Sequence, residues 1–186
     1  MADFLGVEDV IVHTMGYDTN ALSIPYLIDS RTLILSDQFN HNSIVKGCTV
    51  AGATIKRFRH DQIETLEEQL KEANKENYSK VLVIVEGLYS MEGSYVNLQK
   101  VCRLKKQYNF LLFVDEAHSI GALGRTGRGI REYYNSYNVD FCMGTFTKSF
   151  SSVGGYIGGK KELIEKLRRL APYYNSYVGM SPLFAQ

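Results

Sequence analysis

The sequence has no excess of charge of either sign: 21 lysines and arginines stand against 20 aspartates and glutamates, for a net charge of +1. With no single-sign block, it offers no electrostatic footprint for a nucleic-acid partner. Long apolar runs are also lacking. The longest, residues 81–85 and 110–114, have the length of strands and fall far short of the roughly 20 residues needed to cross a bilayer. Residues 1–8 carry neither the basic region nor the apolar core of a signal peptide. Cysteine is scarce. Cys48, Cys102 and Cys142 are odd in number and widely spaced, which suits reduced thiols in a cytosol-facing protein and gives no metal-ligand spacing. There is no internal repeat, low-complexity tract or linker. At 186 residues, 45% hydrophobic and 22% charged, the chain has the size and composition of one domain with a real core.

What is present is an alternation of strand-length apolar runs with helix-period segments, the pattern of an α/β protein with a mostly parallel sheet. Strands are expected at 10–13, 32–36, 54–58, 81–86, 110–115, 140–144 and 155–158. Asp61-Gln-Ile-Glu64 reads as a capping box opening a helix through Glu67, Leu70 and Ala73. A second helix is expected over 97–108, with Leu98, Val101 and Leu104 at helical spacing. A third opens near Lys160, with Leu163, Ile164 and Leu167 on one face.

Several of these runs end in reactive side chains. Residues 81–85 lead to Glu86; residues 110–114 lead to Asp115, Glu116 and His118; residues 140–144 lead to Thr145, Thr147 and Lys148. Ligands of open α/β sheets bind beyond the carboxyl ends of the strands, so an acid, an imidazole and an amine at three such ends point to one shared site. Lys148 lies in a strand-end turn between Phe146 and Phe150, where desolvation is expected to favour the neutral amine that forms a Schiff base. Asp115, at a buried strand end, needs a cationic partner. A pyridinium nitrogen would serve, and the pairing keeps the ring an electron sink. His118 can reach a phenolic oxygen on such a ring, and His41, after another strand end, can stack on it. Gly16 and Tyr17, before an expected helix, place backbone N–H groups where a phosphate can sit. Thr145 and Thr147 add hydroxyl donors.

Asp115-Glu-Ala-His118 after an apolar strand is also the spelling of the DEAH box of helicase-type NTPases. That reading requires an upstream Gly-x-x-x-x-Gly-Lys-Ser/Thr loop, and neither Gly-Lys-Ser nor Gly-Lys-Thr occurs in the chain. The balanced charge also argues against a nucleic-acid motor.

Five words in order carry a resemblance along nearly the whole chain: Asn40-His-Asn-Ser-Ile44, Glu86-Gly-Leu-Tyr-Ser-Met-Glu-Gly93, Asp115-Glu-Ala-His118, Gly121-Ala-Leu-Gly-Arg-Thr-Gly-Arg-Gly129 and Gly144-Thr-Phe-Thr-Lys-Ser-Phe150. On these the chain resembles the α-oxoamine synthases, pyridoxal-phosphate (PLP) enzymes that condense an amino acid with an acyl-CoA and release CO2. The resemblance implies an α/β large domain of PLP-dependent fold type I (aspartate aminotransferase-like). Residues 1–186 would form its central part, without the family's N-terminal segment and small C-terminal domain. The 144–150 word, with Gly154-Gly-Tyr-Ile-Gly-Gly-Lys160 after it, is most similar to the members that join L-serine to a long-chain acyl-CoA, palmitoyl-CoA. Aminolevulinate-, aminooxobutanoate- and aminooxononanoate-forming siblings are the alternative.

By the same resemblance Lys148 is the cofactor lysine and the acid and base at the α-carbon. Asp115 pairs with the pyridine nitrogen, His118 with the phenolic oxygen, and His41 stacks on the ring. Thr145, Thr147 and the amides of Gly16 and Tyr17 hold the phosphate, while Glu86 and Ser90 support the site. It further implies a heterodimer with a noncatalytic homologous subunit that lacks the lysine. Location would be the cytosolic face of the endoplasmic reticulum membrane, with membrane contact only through segments outside these residues. The chain departs from the pattern at Val178 and Gly179, where the family has a Thr-Ser pair reaching the partner's phosphate. This suits a heterodimer whose second site does no chemistry. The 186 residues alone are expected to be inactive, with an apolar face of the sheet left bare.

Overall fold

The computed structural model describes residues 1–171, 180, 181 and 183. Val178 and Gly179, the departures from the family's Thr-Ser pair, lie outside the described residues. In chain order the elements are α1 (Ala2–Leu5), β1 (Asp9–His13), α2 (Gly16–Leu27), β2 (Thr32–Asp37), α3 (Asn42–Val50), β3 (Thr54–Phe58), α4 (Ile63–Ala73), β4 (Lys80–Glu86), α5 (Leu98–Tyr108), β5 (Leu111–Asp115), α6 (Gly129–Tyr133), β6 (Phe141–Thr145), β7 (Gly155–Gly159) and α7 (Lys161–Leu170).

The strands form one seven-stranded sheet in the order β1-β7-β6-β5-β4-β2-β3. Strands β2 to β6 pair in parallel, whereas β7 runs antiparallel to both of its neighbours. Six strands therefore point the same way, and β7 alone runs against them. The carboxyl ends of β1, β2, β4, β5 and β6 consequently share one edge, and β7 starts from that edge. The segment joining β6 to β7, which carries Lys148, needs no crossover and turns back at that same edge.

Hydrophobic side chains alternate between two cores, as period-2 strands buried on both faces require. Leu33, Leu35, Val83, Val85, Leu112 and Val114 pack with α4 and α5. Ile34, Leu82, Ile84, Phe113 and Met143 face α2, α3 and α7. Each such fully buried side chain contributes about 1.5–3 kcal/mol. The expected bare apolar face is not found among the described residues, because helices cover the central strands on both sides.

One local expectation is corrected. The Asp61 capping box does not form: Asp61 takes a left-handed φ of 57°, and α4 opens after Gln62 with no side-chain cap. Thr65 Oγ1 closes that turn instead, donating to Gln62 O at 2.8 Å and accepting from Arg59 N. In α5, by contrast, Asn97 does cap, accepting from Lys100 N at 3.1 Å. No helix among the described residues is long and apolar enough to cross a membrane.

Candidate active site

A cavity of about 370 Å³ opens at the carboxyl edge of the sheet, within the range of small-molecule and cofactor sites. Nine of the residues singled out from the sequence line it: Gly16, Tyr17, His41, Glu86, Asp115, His118, Thr145, Thr147 and Lys148. Ser90 does not. It is exposed on the turn after β4, because Tyr89 takes the inward position and donates nothing to the cavity, its hydroxyl accepting from Glu86 N at 3.1 Å.

One end of the cavity is built to take an anion. Helix α2 starts after Met15 with no side-chain cap, so its first N–H groups and its positive dipole end face the space. Opposite them, Thr145 Oγ1 lies 2.8 Å from Thr147 Oγ1 and donates to Gly154 O at 2.8 Å. A Cβ on Gly16 would stand 2.8 Å from Thr145 Oγ1, which is why the helix begins with glycine here. The two threonines and the helix end converge as a phosphate cradle.

The floor is carboxylate. Asp115 is buried at the end of β5, where Oδ1 accepts from Ala117 N at 2.9 Å and Oδ2 from Asn20 Nδ2 at 2.7 Å. Burial raises its pKa, opposed by those two donors. Glu86, beside it in register on β4, is pushed up to about 8 by burial and by the Asp115 charge. It accepts from the backbone N–H of His41, tying the start of α3 to the end of β4.

His41 caps α3, its Nδ1 accepting from Ser43 N at 3.2 Å. Its ring stands edge-on to Tyr17, centroids 6.2 Å apart, so Tyr17 contributes an aromatic wall as well as an amide. His118 is half-buried. Burial, then the charge of Lys148, holds its pKa below the usual histidine value, which leaves it a neutral imidazole with one N–H to donate. Lys148 is exposed at the cavity mouth and is not desolvated as the flanking phenylalanines had suggested. Phe150 meets Phe4 edge-on, 6.5 Å between centroids, and Phe146 packs on Tyr156. Neither covers the amine. The turn is held by Phe146 N to Gly154 O at 2.9 Å and Ser151 N to Lys148 O at 3.1 Å.

Of the Asp-Glu-Ala-His letters, Glu116 faces away from the cavity. It is buried, accepts from Arg131 Nε at 2.8 Å and Ile130 N at 2.7 Å, and thereby fastens α6. A magnesium-holding acid pair would need both carboxylates in one site, so the NTPase reading has no geometry to support it. Thr14, Met15, Asn20 and Ser43 also line the cavity and were not singled out from the sequence. Asn20 could have been noticed as an amide inside an otherwise core-facing helix turn.

The donor set suits PLP: a cradle for phosphate, a carboxylate for a ring N–H, an imidazole for a phenolic oxygen, and an amine beside it. Fold and site together define an α/β domain of the PLP-dependent fold type I architecture. The aminotransferase class I and II family model matches residues 1–186, and the chain belongs to that family. It is 48% identical over its whole length to serine palmitoyltransferase 2 of Caenorhabditis elegans, and 48% identical to serine palmitoyltransferase 3 of Mus musculus. It spans about a third of the length of these curated relatives, 35% and 34%. Among solved structures it is similar to Sphingomonas wittichii serine palmitoyltransferase, with a TM-score of 0.91 at 35% identity over 98% of this chain and 46% of the other. It also resembles a serine palmitoyltransferase solved with PLP, TM-score 0.91 at 33% identity over 98% of this chain and 46% of that one. An 8-amino-7-oxononanoate synthase from Francisella tularensis matches at a TM-score of 0.84 and 27% identity, over 98% of this chain and 52% of the other.

Proposed function

We propose that these residues form the central part of the PLP-binding large domain of a serine palmitoyltransferase-type enzyme, which condenses L-serine with palmitoyl-CoA. A carbon–carbon bond forms between the serine α-carbon and the palmitoyl carbonyl carbon, the thioester carbon–sulfur bond breaks to free CoA, and the serine carboxylate leaves as CO2. The product is 3-oxosphinganine. The observation that carries the reading is the convergence of the α2 N-terminus, Thr145, Thr147, Asp115, His118 and Lys148 on one cavity.

Bound there, PLP would supply an electron sink for the pair left at the substrate α-carbon. The chain's residues do the rest. The amides of Gly16 and Tyr17 with Thr145 and Thr147 bind the phosphate, Asp115 accepts from the ring N–H, and His118 donates to the phenolic oxygen. His41 and Tyr17 wall one face of the ring and exclude water from it. Lys148 Nζ anchors the cofactor and moves the proton at the substrate α-carbon. Glu86 holds the His41 backbone in place.

Serine and long-chain acyl-CoA as substrates follow from the relatives' name. A lysine-free homologous subunit as partner, and the cytosolic face of the endoplasmic reticulum as location, follow from the resemblance. The test is turnover by the full-length protein, with and without such a partner subunit: CoA, CO2 and 3-oxosphinganine should appear in equal amounts from L-serine and palmitoyl-CoA. Preference for glycine or alanine, or for a short acyl-CoA, would assign the chain to a sibling activity instead.

A further inference from the structure

Asn20 touches both the carboxylate floor and the network behind His41. It is 1% exposed. Its Nδ2 donates to Asp115 Oδ2 at 2.7 Å and to Ser43 Oγ at 3.0 Å, while its Oδ1 has no partner among the described residues. The amide's orientation follows from Asp115, since an ionised carboxylate only accepts. Both protons of the amide nitrogen are thereby committed to residues of the site.

The second donor has a directional consequence. Ser43 Oγ accepts from Asn20, so its own proton is free for His41 Nδ1, 2.7 Å away. Ser43 N donates to the same Nδ1 at 3.2 Å. Two donors on one ring nitrogen force the imidazole proton onto Nε2. The His41 ring therefore presents an N–H, not a lone pair, at its other nitrogen.

We propose that Asn20 is a positioning residue that couples the two sides of the cofactor site, fixing the Asp115 carboxylate through one N–H and the Nε2–H tautomer of His41, by way of Ser43, through the other. The proposal rests on the PLP reading of the cavity. Because α2 also offers its N-terminus to the phosphate, one helix would set the cofactor's phosphate, ring nitrogen and facing imidazole together. Burial raises the Asp115 pKa and the Asn20 bond opposes it, so the amide helps keep the carboxylate charged for a ring N–H.

The test uses the full chain with PLP as the probe. Asn20→Leu removes the amide at similar volume, and Ser43→Ala cuts only the arm to His41. For Asn20→Leu we expect PLP affinity to fall about tenfold or more, the loss of a hydrogen bond to a charged group, and the pH dependence of the bound cofactor's visible absorption to shift. For Ser43→Ala we expect affinity within about threefold of the original, with His41 now sampling the Nδ1–H form in spectra of 15N-histidine-labelled protein. Wild-type affinity and pH profile in Asn20→Leu would overturn the proposal. A lowered Tm with an unmoved pH profile would also overturn it, in favour of a purely structural amide. So would a His41 proton found on Nδ1 in the unsubstituted protein, a result that needs no variant to fold. Failure of the unsubstituted chain to bind PLP would bring down the cofactor reading and this proposal together, whereas binding that Asn20→Leu leaves unchanged brings down this proposal alone.

Discussion

Glu86 and Asp115 end adjacent parallel strands in direct register, so two carboxylates share one buried floor and cannot both ionise without cost. Burial and the Asp115 charge lift Glu86 to about 8. Burial raises Asp115 as well, and the bonds from Ala117 N and Asn20 oppose that rise.

The raised Glu86 pKa predicts a pH dependence. A carboxyl whose folded pKa lies above its unfolded value of about 4.3 binds a proton in the folded state that the unfolded chain has released. Its contribution is complete below the unfolded pKa and is lost as pH rises towards about 8. His13 works in the opposite sense: burial depresses it to about 4, so its contribution is lost as pH falls below about 6.5. The comparison must therefore be between variants. Measured by thermal unfolding without cofactor, Glu86→Gln should lose less stability than the unsubstituted protein between pH 6.5 and 8. Parallel Tm curves would contradict the assignment.

The phosphate cradle predicts a ligand-selective defect. Thr145 Oγ1 sits between Gly154 O and Thr147 Oγ1, and a methyl group on residue 16 would stand 2.8 Å from it. Gly16→Ala should weaken PLP binding about tenfold and weaken pyridoxal, which lacks the phosphate, far less. Equal losses for both ligands in a fluorescence titration would place the phosphate elsewhere.

The Glu116–Arg131 pair predicts a stability loss without direct cofactor contact. Both side chains are buried, 1% and 4% exposed. Glu116→Ala would leave the Arg131 guanidinium uncompensated, at a cost of about 3–5 kcal/mol; Glu116→Gln, which keeps an acceptor, should lose less. Gly129→Ala should resemble the alanine variant, because φ there is +82° and a Cβ would overlap the Glu116 carboxylate. Urea unfolding reads all three, and near-neutral Glu116→Ala would remove this role.

Much of this was legible in the sequence because strand ends are punctuated by chemistry. Runs such as 81–86 and 110–115 place their last residues on one edge once they lie parallel, and β4 and β5 do so. The antiparallel β7 was not legible: a buried glycine-rich run has no letter for direction. Nor was the exposure of Lys148, since Phe150 turns away to Phe4 and adjacency in sequence says nothing about which side of a turn a ring covers. The Asp61 box failed because the chain enters α4 through a left-handed residue, a tertiary demand that overrode a local motif. Asn20 was hidden for a related reason. Its partners Ser43 and Asp115 are 23 and 95 residues away, and only the packed helix brings them together.

The central claim is that Lys148 is the cofactor amine. The most direct measurement is borohydride reduction of the full-length protein in the presence of PLP, followed by peptide mapping. The account predicts one pyridoxyl group per chain, on Lys148 Nζ, and none in Lys148→Ala. A label on another lysine, or no label on a folded protein, would contradict it.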